Sequence, residues 1–223
     1  LATHKDLDEA LQRVHKVLCL KENFALSVSN DEATLAVKLV DGSEVIYQRN
    51  ISDPEKPYAP VRMLVFKKMF IDKEGKEQFT DMSPEETPNA HPWVIQVIQN
   101  TLKAIVMGMG SVIDSILPNL IVKGVPEAIA QRKKQGLPCI YIPKLTWDYQ
   151  TKGLCLKDML LVMERSIQNA TGNPDFRIED IISLVVIPVV SDETRDKYYK
   201  STLEGEDKGK RKYLNPTGIS LLE

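Results

Sequence analysis

The sequence predicts an α+β fold: an N-terminal helix on an antiparallel β-meander, then a mainly helical half and a charged C-terminal tail. Apolar residues recur every three to four positions over residues 5–20, alternate with polar residues over 24–47, and return to helical spacing from residue 93. We therefore expect four regions, which are a helix plus antiparallel sheet (1–82), a proline-rich linker (83–92), a mainly helical half sharing the core (93–190), and a charged tail with an apolar tip (191–223).

The first half is predicted to contain one helix and four or five strands. The helix over 5–20 carries its apolar side chains on one face, so we expect it to cover the apolar face of the sheet. Asp41-Gly42 between two alternating stretches is a strong hairpin signal. Strands are expected at 24–29, at 35–39, at 45–47, at 61–70 as a central strand apolar on both faces, and at 77–82 as its partner.

The second half is predicted to be mostly helical. Residues 93–107 and 111–122 form the most apolar stretch, and polar residues interrupt it too often for a membrane span, so we expect a buried helical hairpin. The apolar run 178–190 fits a helix and a strand equally well. We also expect a helix at 125–135, a short strand at 140–145 and an amphipathic helix at 156–170.

Charge and cysteine content limit the class of protein. The 223 residues include 29 Lys and Arg against 31 Asp and Glu, a net charge of -2, which excludes a uniformly basic nucleic-acid binder but allows a basic patch. Cys19, Cys139 and Cys155 show no CxxC spacing, which favours a reducing compartment. We therefore predict an intracellular protein, cytoplasmic or nuclear, with no transmembrane span.

Basic residues form three clusters, and clustered Lys and Arg are the residues that contact phosphates. The alternative is that they are solvated surface charges, and cations at a helix C-terminus also complement its dipole. We predict that they bind nucleic acid or another polyanion. The candidate residues are Arg132, Lys133 and Lys134, then Lys67 and Lys68, and finally Lys210, Arg211 and Lys212.

The tail ends in an apolar tip after a densely charged spacer. Such a segment can dock into a groove on a neighbouring subunit, which predicts a homo-oligomer, or on another protein partner. The equally weighted alternative is that the tip folds back on its own domain. The docking candidates are Tyr213, Leu214, Ile219, Leu221 and Leu222.

The sequence assigns no catalytic residue, no metal ligand and no cofactor. Gly108-Met109-Gly110-Ser111 opens a predicted helix and could cradle an anion on its backbone amides. It lacks the lysine of a P-loop and, in the predicted helical hairpin, a preceding strand. A turn between two helices is therefore the favoured interpretation.

These observations predict a non-catalytic structural protein that self-associates and binds a polyanion, comparable to a viral nucleocapsid or matrix subunit. Two alternatives stay open. One is a protein–protein adaptor module that binds no nucleic acid. The other is an enzyme whose site is assembled from residues distant in sequence, because active sites are defined by geometry rather than by sequence position.

Overall fold

The computed structural model describes residues 4–17, 27–53, 58–144, 149–151 and 154–187. Within them the α-helices are α1 (His4–Val17), α2 (Gln48–Ile51), α3 (Pro92–Asn100), α4 (Leu117–Leu120), α5 (Val125–Lys134) and α6 (Leu156–Thr171). The strands are β1 (Thr34–Leu39), β2 (Glu44–Ile46), β3 (Val61–Ile71), β4 (Glu77–Asp81), β5 (Ile105–Gly108), β6 (Cys139–Ile142) and β7 (Leu184–Val185). A π-helical turn (Val112–Ile116) and two 3₁₀ turns (Tyr149–Thr151 and Ile178–Asp180) complete these elements.

The first sheet is antiparallel, with the order β2-β1-β3-β4. The predicted hairpin after β1 is confirmed: Gly42 has a φ of +87°, and the Asp41 carboxylate accepts the N–H of Ser43 at 2.9 Å. The prediction of β3 as a central strand with β4 as its partner is also confirmed, because β3 pairs with both β1 and β4.

Two expectations for this sheet are corrected. Residues 27–29 are not in a strand, and residues 24–26 lie outside the described residues. The helix α1 forms as predicted, but Val14 and Val17 of its apolar face are 49% and 81% exposed. The helix that packs on β3 is instead α6.

The packing of α6 on β3 includes a polar contact in the core. Ser166 is fully buried, donates to the carbonyl of Val162 at 2.6 Å and accepts the N–H of Leu64 at 2.9 Å. This N–H needs a partner because β4 pairs with β3 only over 67–71. A helix side chain thus satisfies a backbone donor on the stretch of β3 with which β4 does not pair.

The second sheet corrects the prediction of a buried helical hairpin. Helix α3 ends at Asn100, and the chain then enters β5, which pairs in parallel with β6, while β6 pairs in parallel with β7. The apolar run 178–190 resolves into the 3₁₀ turn and β7, with residues 188–190 outside the described residues. The fold is mixed α/β, so α+β is broadly compatible, but the parallel sheet was not predicted.

Buried residues of both sheets belong to one hydrophobic cluster, which includes Val37 and Leu64 beside Ile113, Tyr141 and Ile167. The segment 83–92 joins the two sheets, and its Thr87 hydroxyl donates to the carbonyl of Ala170 at 3.2 Å. Whether this segment separates two domains stays a prediction. In the described part of the chain, no helix is long and apolar enough to cross a membrane.

Candidate functional site

The carboxyl edge of the parallel sheet is the most distinctive polar region that the structure describes. The strands β5, β6 and β7 run in parallel, so their carboxyl ends lie at the same edge. From Gly108 the chain turns through Met109-Gly110-Ser111 into a helical stretch, first π-helical and then α4. In open α/β sheets, ligands bind in the crevice outside the carboxyl ends of the strands.

The turn after β5 is held in close contact with its surroundings. Met109 has a positive φ of 59°, and its N–H donates to the carbonyl of Ile142 at 3.1 Å. A Cβ on Gly110 would lie 2.7 Å from the Cβ of Ser115, closer than side chains approach one another. Position 110 therefore requires glycine for the turn to keep this path.

The first backbone N–H groups of the helical stretch have no carbonyl acceptor within that stretch. The first helical acceptor is the carbonyl of Ser111, which takes the N–H groups of Ser115 at 3.0 Å and Ile116 at 3.2 Å. The N–H groups of residues 112–114 come before this point, and no backbone acceptor for them occurs among the described residues. Such N–H groups at a helix start can bind an anion.

A network of polar side chains centred on Gln150, which is 6% exposed, fixes this turn. Its Oε1 accepts the Ser111 hydroxyl at 2.8 Å. Its Nε2 donates to the Asp114 carboxylate at 2.7 Å and to the Ser52 hydroxyl at 2.8 Å. One amide thus ties the turn after β5 to the segment after β6 and to the segment after α2.

The site carries charges of both signs. The Asp114 carboxylate also accepts the hydroxyls of Ser52 at 3.2 Å and Ser115 at 2.9 Å. Lys144 follows the end of β6 by two residues, which places it at the same edge of the sheet. Within the described ranges, no group of three or more His, Cys, Asp or Glu side chains could hold a metal ion. The arrangement can bind and orient an anionic group.

The predicted basic triplet lies elsewhere. Arg132, Lys133 and Lys134 form the last turn of α5, which leads to the amino end of β6 and so to the opposite edge of the sheet. The Arg132 guanidinium donates to the carbonyl of Thr101 and to the side chain of Gln135. The Lys133 ammonium donates to the carbonyl of Glu179.

The two lysines of β3 have different surroundings. Lys67 is only 5% exposed and forms ion pairs with Glu44 at 2.6 Å and Asp81 at 2.9 Å. Burial opposes the charged form of Lys67, but its hydrogen bonds to the two carboxylates outweigh this and raise its pKa. Lys68 is exposed and pairs with Glu86 at 3.5 Å.

The remaining predicted site residues lie outside the described residues, and their roles stay predictions. They are the basic residues Lys210, Arg211 and Lys212 and the docking residues Tyr213, Leu214, Ile219, Leu221 and Leu222.

Sequence reasoning missed most of this site. The sequence alone favours a turn between two helices at Gly108-Met109-Gly110-Ser111, because a P-loop lysine and a preceding strand are both lacking there, whereas the structure has the strand β5 before this turn. The run Ile105-Val106 next to Gly108 was the available signal, since β-branched residues favour strands. Nothing in the sequence indicated Gln150, because it reaches Ser111 only through the tertiary fold.

Comparison with known proteins places the chain in a family. The family model described as "2-phospho-L-lactate transferase CofD" matches residues 1–216. A Thermotoga maritima protein named "Putative gluconeogenesis factor" is 30% identical over 200 residues, which are 89% of this chain and 52% of that protein. A Clostridium acetobutylicum protein of the same name is 24% identical over 220 residues, which are 98% of this chain and 42% of that protein.

Solved structures agree on the fold. Two crystal structures of one Bacillus halodurans protein, assigned to the UPF0052 family, each give a TM-score of 0.57. The sequence identities are 24% and 23%, and the matches cover 85% and 86% of this chain and 50% and 52% of the solved chains. The chain thus spans about half the length of the curated relatives and of the solved protein that it matches.

These findings overturn the predicted function. The prediction of a non-catalytic, polyanion-binding assembly protein comparable to a viral nucleocapsid or matrix subunit is wrong, because the matching family model describes a transferase. An enzyme-type role is indicated, whereas the sequence alone favoured a non-catalytic protein and kept an enzyme as an open alternative. The match extends over nearly the whole sequence, so the chain belongs to the CofD family, described as 2-phospho-L-lactate transferase.

Proposed function

We propose that this chain contributes the phosphate-binding edge of a group-transfer enzyme and binds a phosphorylated hydroxy acid there. The observation that carries the proposal is the path of the chain at the carboxyl edge of the parallel sheet. There β5 leads through a glycine turn into a helical stretch whose first N–H groups, at 112–114, have no backbone acceptor among the described residues. This arrangement suits a phosphoryl group because free N–H groups at the start of a helix can bind an oxygen-rich anion.

The charges of the site support a ligand with more than one polar group. Lys144 supplies a positive charge at the end of β6, where it can attract a phosphate or a carboxylate. Asp114 is held by donors from Gln150, Ser52 and Ser115, so its carboxylate orients the polar network. The compound named in the family description, 2-phospho-L-lactate, carries a phosphate and a carboxylate.

The role of the network is to position the ligand. Ser111 donates its hydroxyl proton to Gln150 and is not paired with a histidine or carboxylate base in this contact. We therefore assign Ser111 and Gln150 as positioning residues, which hold the turn in the shape that presents its N–H groups. Pre-formed donors of this kind stabilise charge that develops during transfer.

The test is binding of 2-phospho-L-lactate by the full chain, measured by isothermal titration calorimetry and by ³¹P chemical-shift changes, with L-lactate as the unphosphorylated comparison. We expect binding that requires the phosphate. Lys144→Ala should weaken it about 10-fold, which corresponds to about 1.4 kcal/mol. The matched control Lys76→Ala, on the exposed β3–β4 hairpin, should leave it unchanged. Equal losses in both variants, or equal binding of L-lactate, would contradict the proposal.

A further inference from the structure

A cavity of about 250 Å³ lies between the antiparallel sheet and helix α6. Val61 and Val162, both 1% exposed, give it apolar inner walls, and Val40, which is 60% exposed, lies at its rim. The cavity is therefore apolar inside and can be reached from solvent. Its described lining residues include none from the parallel sheet or from the turn after β5, so the cavity is a separate site from the carboxyl edge.

Hydrogen bonds hold two sides of the cavity in place. On the side of the sheet, the N–H of Val40 donates to the carbonyl of Pro60 at 3.0 Å, which joins the end of β1 to the start of β3. On the side of the helix, the N–H of Cys155 donates to the Asp158 carboxylate at 2.9 Å, which caps α6. The walls are thus formed before a ligand arrives, so binding requires little ordering of the chain.

Two side chains of opposite charge line the cavity, and both belong to α6. Asp158 and Arg165 are seven residues apart, so they lie on the same face of the helix, about 10 Å apart along its axis, with Leu161 between them. Side chains of helices lean toward the helix N-terminus, which for Arg165 is the direction of Leu161 and Asp158. In the part of the chain that the structure describes, the Arg165 guanidinium has neither an ion pair nor a hydrogen bond, and Asp158 has no cationic partner. Both charges are therefore available to a ligand.

The volume of the cavity limits the size of the ligand. An apolar cavity of about 150 Å³ in a protein core holds one benzene molecule, so about 250 Å³ has room for about ten non-hydrogen atoms. Sites for drug-sized ligands are larger, at about 300–1,000 Å³. A nucleotide is therefore too large for this cavity, whereas a free amino acid of the size of leucine fits.

We propose that this cavity binds a free α-amino acid with a branched apolar side chain, such as leucine. Arg165 binds its carboxylate, Asp158 binds its ammonium group, and the apolar side chain contacts Val61 and Val162. A ligand with only a carboxylate meets the like charge of Asp158, and a ligand with only an ammonium group meets the like charge of Arg165. A zwitterion is attracted by both residues, so the pair of charges selects it against either single ion.

Isothermal titration calorimetry of the full chain tests the proposal with four ligands. They are L-leucine, isoamylamine (leucine without its carboxylate), 4-methylpentanoate (leucine without its ammonium group) and glycine, which lacks the apolar side chain. We expect L-leucine to bind at least about 10-fold more tightly than each of the other three, because each of them loses one of the three sets of contacts. An excess of 2-phospho-L-lactate should not displace L-leucine, since the two sites are separate.

Variants of α6 assign the two charges. Arg165→Gln should weaken binding of L-leucine about 10-fold and abolish its preference over isoamylamine. Asp158→Asn keeps an oxygen that can accept the N–H of Cys155, and it should abolish the preference for L-leucine over 4-methylpentanoate. The matched control Lys157→Gln removes an exposed charge of α6 that does not line the cavity, so it should leave binding unchanged. Val40→Trp, at an exposed position of the rim, should block the cavity without disturbing the core.

Other outcomes would overturn the proposal. No binding of L-leucine, or equal binding of isoamylamine, 4-methylpentanoate or glycine, means that the cavity does not select an apolar amino acid. Equal losses in Arg165→Gln and Lys157→Gln, or undiminished binding in Val40→Trp, mean that L-leucine binds elsewhere. Displacement of L-leucine by 2-phospho-L-lactate means that it occupies the carboxyl edge. Binding of 2-phospho-L-lactate itself is measured separately, so either proposal can fail without the other.

Discussion

The two sheets differ in whether their polar groups have hydrogen-bond or ion-pair partners among the described residues. In the antiparallel sheet, the buried Lys67 ammonium is paired with Glu44 and Asp81, and the N–H of Leu64 is taken by the Ser166 hydroxyl. At the carboxyl edge of the parallel sheet, backbone N–H groups at 112–114 have no backbone acceptor among the described residues. Polar groups satisfied within the chain contribute to stability, while unsatisfied donors at an edge are available for a ligand.

Removing the buried ammonium group of Lys67 should cause the largest loss in the free energy of unfolding. This change tests whether the antiparallel sheet depends on its ion pairs. Lys67→Ala leaves Glu44 and Asp81 close together without their shared partner. Breaking a fully buried pair costs about 3–5 kcal/mol, and since the carboxylates are 31% and 41% exposed we expect a loss of about 2–3 kcal/mol in the free energy of unfolding. Urea denaturation measures it.

The control for this change is the neighbouring residue. Lys68→Ala removes an exposed lysine whose ion pair is on the surface, so its effect should stay within about 0.5 kcal/mol. If both variants lose the same stability, the distinction between the two lysines of β3 is wrong.

Removing the hydrogen bond between α6 and β3 should cause the next largest loss of stability. Ser166→Ala leaves the buried N–H of Leu64 without its acceptor, which costs about 1–3 kcal/mol. Ser115→Ala removes an exposed hydroxyl and should cost less than about 0.5 kcal/mol. Thermal unfolding of the two variants in parallel checks this, and a smaller loss for Ser166→Ala than for Ser115→Ala would contradict it.

The turn of the parallel sheet should affect ligand binding more than stability. Gly110→Ala places a Cβ 2.7 Å from that of Ser115, so the turn must move. We expect binding of 2-phospho-L-lactate to weaken about 10-fold, or about 1.4 kcal/mol. Adding Ser115→Gly removes the clash and should restore most of the binding, as measured by calorimetry. Failure of the second substitution to restore any binding would show that the clash is not the cause.

The smallest expected effect is the change in the free energy of unfolding with pH that comes from Asp81 and Lys67. Burial would raise the pKa of Asp81, but its hydrogen bonds to Lys38 and Lys67 outweigh burial and hold it below its ordinary value of 3.8. This stabilisation is present above pH 3.8 and is lost as the pH falls through the lower folded pKa. The pKa of Lys67 is raised above 10.5, so its contribution is present below pH 10.5 and is lost at higher pH.

Denaturation midpoints measured as a function of pH, on the acid and on the alkaline side, check the directions of these two changes in stability. In Asp81→Asn the acid limb should become shallower, because the group that takes up a proton is gone. An unchanged acid limb would assign the acid sensitivity to other carboxylates.

Local patterns were enough to predict much of the secondary structure. Alternation and turn residues located β1, β3 and β4, and helical spacing located α1, α5 and α6. The same rules failed at 101–108, because a short apolar run beside a helix has no period of its own. The strand character of 105–108 depends on pairing with residues 139–142, which lie 34 residues further along the chain.

Elements with local signals could be read from the residue pattern: the amphipathic helices, the hairpin at Asp41-Gly42 and the balance of charge. The buried ion pairs of Lys67 and the meeting of Ser111, Asp114 and Gln150 at one edge are visible only in the folded protein. Hydrogen bonds and ion pairs act over a few ångströms in space, while Gln150 is 39 residues from Ser111 along the chain. Such contacts exist only after the core has brought distant segments together.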